Sequence, residues 1–128
     1  MRPAPSPAVV AWFHAQPAAK LVTTSITLAE MLSGIERLPD GRRKDLLSAT
    51  ATEVFSAFGE RVLGFNATAA ARYAQIVGIR ERSGRPISGF DAQIAAICRV
   101  NGADLATRNT TDFADTGIVL IDPWGERG

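Results

Sequence analysis

The sequence predicts a single α/β domain in which helices flank a mostly parallel sheet. Helical and strand-like segments alternate along the chain, and this alternation is typical of parallel α/β folds. The length of 128 residues suits about one domain with an ordinary core. Hydrophobic residues make up 46% and charged residues 21% of the chain, which is the mix of a folded globular protein.

Composition argues against several classes of protein. No run of ~18 consecutive apolar residues is present, so the sequence predicts no membrane span. The opening residues MRPAPSPAVV lack the apolar region of a secretion signal, which predicts a cytoplasmic location. The single Cys98 fits that location because it cannot form an internal disulfide. A net charge of +1 argues against bulk electrostatic binding of nucleic acid but leaves room for a local basic patch.

The first 40 residues are predicted to form two helices and a strand. A helix starts at Pro7, where a proline is favoured. Residues 20–25 (KLVTTS) have the composition of a short strand. The next helix, residues 27–38, is expected to begin with Thr27 and Glu30 as a capping box.

The middle of the chain is predicted to add two helices around a buried strand. One helix follows Pro39, and residues 61–65 (RVLGF) form the strand. Asn66 then caps a helix that ends near Gly84. The residues expected on its apolar face are Ala70, Tyr73, Ala74 and Val77.

The last third is predicted to form one helix and two strands. Ser88 caps the helix and Gly102 ends it. Residues 103–107 and 117–121 are expected to be strands. The predicted apolar stripe of the helix consists of Phe90, Ile94, Ile97 and Cys98.

Three acidic residues fall where helices start or strands end. Glu30 and Asp91 are predicted to lie in the first turns of their helices, and Asp112 follows the strand 103–107 by five residues. Ligands of open α/β sheets bind at such positions. Because hard cations such as Mg²⁺ and Mn²⁺ prefer oxygen ligands, the three carboxylates together predict a metal site.

Each acidic residue also has an ordinary structural explanation. Glu30 could complete a capping box with Thr27, and Asp91 could do so with Ser88. Asp112 could be a turn residue. Other chemistry has less support, since the only histidine, His14, is better placed as a cation at a helix end, and Cys98 falls on an apolar stripe.

With these residues in place, the sequence resembles the PIN-domain proteins of the VapC/FitB type. Four segments carry the resemblance, and they occur in the family's order over nearly the whole chain: SITLAEMLSGI, SGRPISGFDAQIAAIC, ADLATRNTTDF and TGIVLIDPW. The resemblance implies one PIN-like domain over residues 1–128, with 125–128 as a disordered tail. It also implies a parallel sheet flanked by helices.

The resemblance further implies a Mg²⁺-dependent endoribonuclease toxin, with Mn²⁺ as a possible substitute. Its partners would be an antitoxin protein, an RNA substrate and a second copy of the chain in a homodimer. Glu30, Asp91 and Asp112 match the family's acids, which hold the metal that activates water for phosphodiester hydrolysis. The polar residues beside the last acid are matched by Thr107 and Asn109. Candidates for contacts to RNA phosphates, with solvated surface charge as the alternative, are Arg82, Arg85 and Arg108.

In one respect the sequence departs from the pattern of this type. Such domains begin with a central strand that ends in a metal-binding Asp, and neither is found before the first helix here. Either the true start lies upstream of Met1, or the domain has lost a ligand and cuts RNA poorly. The alternative function is therefore a PIN-fold module that binds an antitoxin or itself without cutting RNA.

Overall fold

Helices and short parallel strands are interspersed along the described part of the chain. The computed structural model describes residues 7–17, 20–107 and 109–122. The helices are α1 (Pro7–Ala15), α2 (Ser25–Glu36), α3 (Arg42–Phe58), α4 (Ala67–Arg82) and α5 (Gly89–Val100). The strands are β1 (Thr23–Thr24), β2 (Val62–Leu63), β3 (Leu105–Ala106) and β4 (Leu120–Ile121). Two 3₁₀ turns, Gly59–Arg61 and Thr110–Phe113, complete the described elements. The expected tail at 125–128 lies outside the described residues.

The strands pair in parallel, but in two separate pairs. β1 pairs with β2, with Thr23 opposite Val62, and β3 pairs with β4, with Leu105 opposite Leu120. The prediction of parallel strands among helices is confirmed. Within the described residues, however, the two pairs do not join into the single sheet that the sequence predicted. Each strand is two residues long, shorter than its predicted segment, because ladder hydrogen bonds form only where a neighbouring strand is present.

Side-chain caps begin three of the helices. Asn66 accepts a hydrogen bond from the backbone N–H of Ala69 at 2.9 Å, as its position in the sequence predicted. α2 begins earlier than predicted, because Thr24, and not Thr27, caps it by accepting from the N–H of Thr27 at 2.9 Å. Gly102, at φ +62°, follows α5 in the left-handed conformation that glycine adopts without strain, which confirms the predicted helix end.

The core is centred on the packing of α4 against α5. Half of α5 is buried, including Ile94, Ile97 and Cys98 of the predicted stripe, whereas Phe90 remains 52% exposed. The predicted face of α4 was also partly wrong. Ala70 and Ala74 are exposed, and the buried residues of α4 are Ala69, Ile76 and Arg80. The register of a helix rich in alanine is poorly specified by its apolar pattern, since alanine is common on both faces.

Both strand pairs contribute to this same core. Leu63 of β2, Leu105 of β3 and Leu120 of β4 all pack against the buried cluster of α4 and α5. Phe113, from the second 3₁₀ turn, is buried in the same cluster. Strands β2, β3 and β4 and helix α5 are therefore held by one apolar core. In the described part of the chain, no helix is long and apolar enough to cross a membrane.

Candidate active site

Asp91 lies in the first turn of α5, the most buried helix. The Ser88 hydroxyl caps this helix and accepts a hydrogen bond from the Asp91 backbone N–H at 3.2 Å. The Asp91 side chain is half-buried. Among the described residues, its carboxylate makes no hydrogen bond and no ion pair, so the reciprocal half of a capping box is not formed. The carboxylate therefore remains available to a ligand.

Glu30 does not cap its helix, contrary to the capping box expected with Thr27. Because α2 begins at Ser25, Glu30 lies in the second turn of the helix, and its side chain is exposed. The cap is shared by two hydroxyls, those of Thr24 and Thr27, whose Oγ1 atoms lie 2.8 Å apart. Helix capping therefore does not explain the presence of a glutamate at position 30.

Asp112 lies in the 3₁₀ turn Thr110–Phe113 that follows β3. Its backbone N–H donates to the carbonyl of Asn109 at 3.1 Å, and its side chain is exposed. Just before the turn, the Thr107 hydroxyl accepts a hydrogen bond from the backbone N–H of Asn109 at 3.0 Å. Phe113, which is buried, anchors the end of the turn in the core. Thr107 and Asn109 thus shape the segment that presents Asp112.

The three acid-bearing segments converge on α5. α5, which carries Asp91, packs against α2, which carries Glu30, and against the 3₁₀ turn of Asp112. Within the described residues, however, no three Asp, Glu, His or Cys side chains lie close enough together to hold a metal ion. The chemistry of the donors suits Mg²⁺, which commonly takes one or two carboxylates and completes its shell with water and substrate phosphates. The residues therefore fit Mg²⁺ by the chemistry of their donors, although the structure does not bring the three carboxylates together as one group of ligands.

The three arginines predicted to contact phosphate stand in different situations. Arg85 forms an ion pair with Asp115, a residue held at φ +60°. Arg82 is exposed in the last turn of α4. Arg108 lies outside the described residues. Of the two described arginines, Arg85 is therefore already paired with a protein carboxylate, and Arg82 is exposed to solvent.

Sequence reasoning missed Arg80, which is 5% exposed. Its Nε donates to the carbonyl of Arg85 at 2.5 Å, and its Nη2 lies 3.5 Å from the carbonyl of Pro86. Its Nη1 donates to the carbonyls of Asp112 at 2.8 Å and Ala114 at 2.9 Å. A signal was present, since Arg80 follows the buried Ile76 by one helical turn, on the face that packs inward.

Cys98 and His14 lie where the sequence predicted. Cys98 is buried in the core, and burial, followed by the charge of Asp104, raises the pKa of its thiol from 9.0 to about 11. A thiol so disposed to keep its proton is a poor nucleophile. His14 lies in the last turn of α1.

Comparison with known proteins decides the family. The model of the PIN domain matches residues 2–119. The chain belongs to the PIN-domain family. It is of the VapC/FitB type: it is 36% identical to VapC ribonuclease Y4jK of Sinorhizobium fredii over 94% of this chain and 86% of that protein. It is 31% identical to Toxin FitB of Neisseria gonorrhoeae over 97% of this chain and 90% of that protein.

Solved structures agree with this assignment. This PIN domain superimposes on the crystal structure of FitAcB from Neisseria gonorrhoeae with a TM-score of 0.91 and 31% identity. The match covers 98% of this chain and 91% of the other. The α/β PIN fold expected from the resemblance is thereby confirmed.

Proposed function

We propose that this PIN domain is a metal-dependent endoribonuclease toxin of a toxin–antitoxin pair. The observation that carries the proposal is the 36% identity, over 94% of the chain, to a protein named VapC ribonuclease. The placement of the acids supports it, because Asp91 lies half-buried at the start of a rigid helix with no protein partner for its carboxylate among the described residues.

In this proposal Asp91 is the central metal ligand, and Glu30 and Asp112 are the further carboxylates. Mg²⁺, or Mn²⁺ in its place, would lower the pKa of a bound water and offset the charge of the phosphate under attack. The chain itself supplies negative oxygens from three segments and holds two of them, Asp91 and Asp112, on backbone anchored in the core. Arg82 and Arg108 would contact the flanking phosphates of the RNA, as would Arg85 if it exchanges its partner Asp115 for phosphate.

The first test is cleavage of RNA by the purified chain with Mg²⁺ or Mn²⁺, compared with EDTA and with Asp91→Asn. We expect metal-dependent cutting that Asp91→Asn reduces by about 100-fold or more, because an amide is a weaker ligand than a carboxylate. The matched control is Glu53→Gln, which removes an exposed carboxylate on α3. A folded chain that cuts no RNA would support the alternative of a non-catalytic PIN module. RNA cleavage that persists in EDTA would contradict the proposed metal dependence.

The proposed protein partners are an antitoxin and a second copy of this chain. An apolar groove of ≈ 390 Å³ between α2 and α3, lined by Leu28, Leu32 and Phe55 among others, supports a protein partner. The same two helices expose further large apolar side chains, namely Met31, Leu46 and Val54. Light scattering of the chain alone tests the homodimer. Co-expression with a candidate antitoxin tests the second partner. We expect the antitoxin to co-purify with the chain and to suppress toxicity; independent migration of the two proteins would contradict the pairing.

A further inference from the structure

Arg80 is a buried cation whose described partners are all backbone carbonyls. Within the described residues, no carboxylate lies within ion-pair distance of its guanidinium. Taking a charged group out of water is costly unless hydrogen bonds compensate for it. A residue needed only to fill the inward face of α4 could be apolar, as Ile76 is. The buried charge therefore calls for another explanation.

The carbonyls that Arg80 binds belong to two segments that carry candidate ligands. On one side, the carbonyls of Arg85 and Pro86 belong to the connection that ends at Ser88, the cap of the helix carrying Asp91. On the other side, the carbonyl of Asp112 belongs to a candidate ligand residue itself.

A single planar guanidinium thus spans the two segments. The donors of a guanidinium form a rigid fork, so the acceptors on its two sides are fixed relative to each other. The ion pair of Arg85 with Asp115 joins the same segments at the surface, where it is partly exposed. Exposed pairs are weak constraints. The buried link through Arg80 is therefore the one that sets the relative position of the segments.

We infer that Arg80 is a positioning residue, which holds the backbone of Asp112 in register with the start of α5 so that the Asp112 and Asp91 carboxylates face one metal ion. The inference rests on the proposed function of that site. It accounts for a buried arginine at this position and for its choice of acceptors. It also explains how an exposed turn such as Thr110–Phe113 can present a ligand at a defined place.

The test compares the parent chain with Arg80→Met, Arg80→Lys and the control Arg72→Met. Arg80→Lys keeps the charge but replaces the fork by a point donor. Arg72 lies on the same helix, is exposed, and hydrogen-bonds Gln75 through its side chain at 3.1 Å. The measurements are Mn²⁺ affinity, amide hydrogen exchange, and kcat and KM for RNA cleavage.

For both Arg80 variants we expect Mn²⁺ affinity and kcat to fall by about 10–100-fold, the usual effect of losing a group that orients a ligand. KM for RNA should change little, and amide hydrogen exchange should rise in residues 87–91 and 110–116 but not in α3. A third variant, Arg80→Ala, leaves room for an added guanidinium: methylguanidinium should restore part of its Mn²⁺ affinity, whereas it should not restore that of Asp91→Asn. Arg72→Met should match the parent.

Parent-like Mn²⁺ affinity and kcat in a folded Arg80→Met would overturn the inference and leave only a structural role. If Arg80→Met does not fold, the same criteria apply to Arg80→Lys. Mn²⁺ affinity and hydrogen exchange are measured without RNA. The positioning role of Arg80 and the proposed ribonuclease function can therefore be contradicted independently of each other. A parent that binds Mn²⁺ but cuts no RNA contradicts the proposed function, while a loss of Mn²⁺ binding in the Arg80 variants would still support the positioning role.

Discussion

At the scale of single residues, Glu30 illustrates how a small shift in a helix start changes the role assigned to a side chain. Two threonines, Thr24 and Thr27, each offer a hydroxyl suited to a cap, and the sequence does not distinguish them. The structure assigns the cap to Thr24 and leaves Glu30 in the second turn. An exposed carboxylate there, with no hydrogen bond or ion pair among the described residues, contributes little to folding.

Glu30→Gln should therefore separate stability from activity. We expect the free energy of unfolding to stay within about 0.5 kcal/mol of the parent, as is usual for surface changes. RNA cleavage should fall by about tenfold or more, because a candidate metal ligand is lost. Urea unfolding and cleavage rates measure the two effects. A clear loss of stability with unchanged RNA cleavage would show that Glu30 has a structural role and is not a metal ligand.

Cys98 makes a second residue-level prediction, on the pH dependence of stability. Its pKa is raised from 9.0 to about 11 in the folded chain, mainly by burial. The native state therefore keeps the thiol proton at pH values where the unfolded chain has released it. The stabilisation is complete below pH 9 and is lost as the pH rises towards about 11.

The expected loss over this range is about 2–3 kcal/mol, since each pKa unit corresponds to about 1.4 kcal/mol. Denaturant unfolding across the range should show it, and Cys98→Ala should remove this component while other groups titrate as before. A stability difference between parent and variant that is constant across the range would contradict the assignment to Cys98.

At the scale of elements, two matching caps allow the helix whose first turn carries Asp91 to be compared with a helix whose first turn carries no candidate ligand. Asn66 and Ser88 cap α4 and α5 in the same way, each accepting from the N–H three residues on. Only α5 carries a candidate ligand in its first turn.

Asn66→Ala and Ser88→Ala should each lower stability by about 1 kcal/mol, the usual cost of losing a side-chain cap. Only Ser88→Ala should also lower RNA cleavage at a temperature where both variants are folded, because the first turn of α5 holds Asp91. Thermal melts and cleavage rates provide the comparison. Equal effects of both variants on cleavage would mean that the loss follows global stability and not the placement of Asp91.

Local signals predicted the elements well and their partners poorly. Asn66, Ser88 and Gly102 were identified correctly because a cap involves residues only a few positions apart. Strand lengths were overestimated, since pairing depends on which strand lies alongside. The sequence suggested candidate acids for the site, and the helical spacing of Arg80 from Ile76 hinted that Arg80 is buried. The acceptors of Arg80 could not be predicted, because Asp112 and Ala114 are distant in sequence and accept through backbone carbonyls.

At the scale of the whole molecule, the most buried residues lie between elements that are consecutive in sequence. α4 and α5 are consecutive in sequence, and their contact buries Ile76, Ile97 and the alanines around them. The acid-bearing segments then attach to this unit, α2 on one side and the turn of Asp112 on another. The general α/β PIN architecture could thus be anticipated, while the division of the strands into two pairs required the structure.

This arrangement has a consequence for the order in which the chain folds. α4 and α5 make contacts of short range in sequence, so little loop entropy opposes their early association. β1 must find β2 across the whole of α2 and α3, which makes Thr23 opposite Val62 a late contact. Pulsed hydrogen exchange during refolding should therefore protect α5 before β1. The segments of the candidate ligands Glu30 and Asp112 would then join Asp91 on an already formed pair of helices. Protection of β1 before α5 would contradict this order.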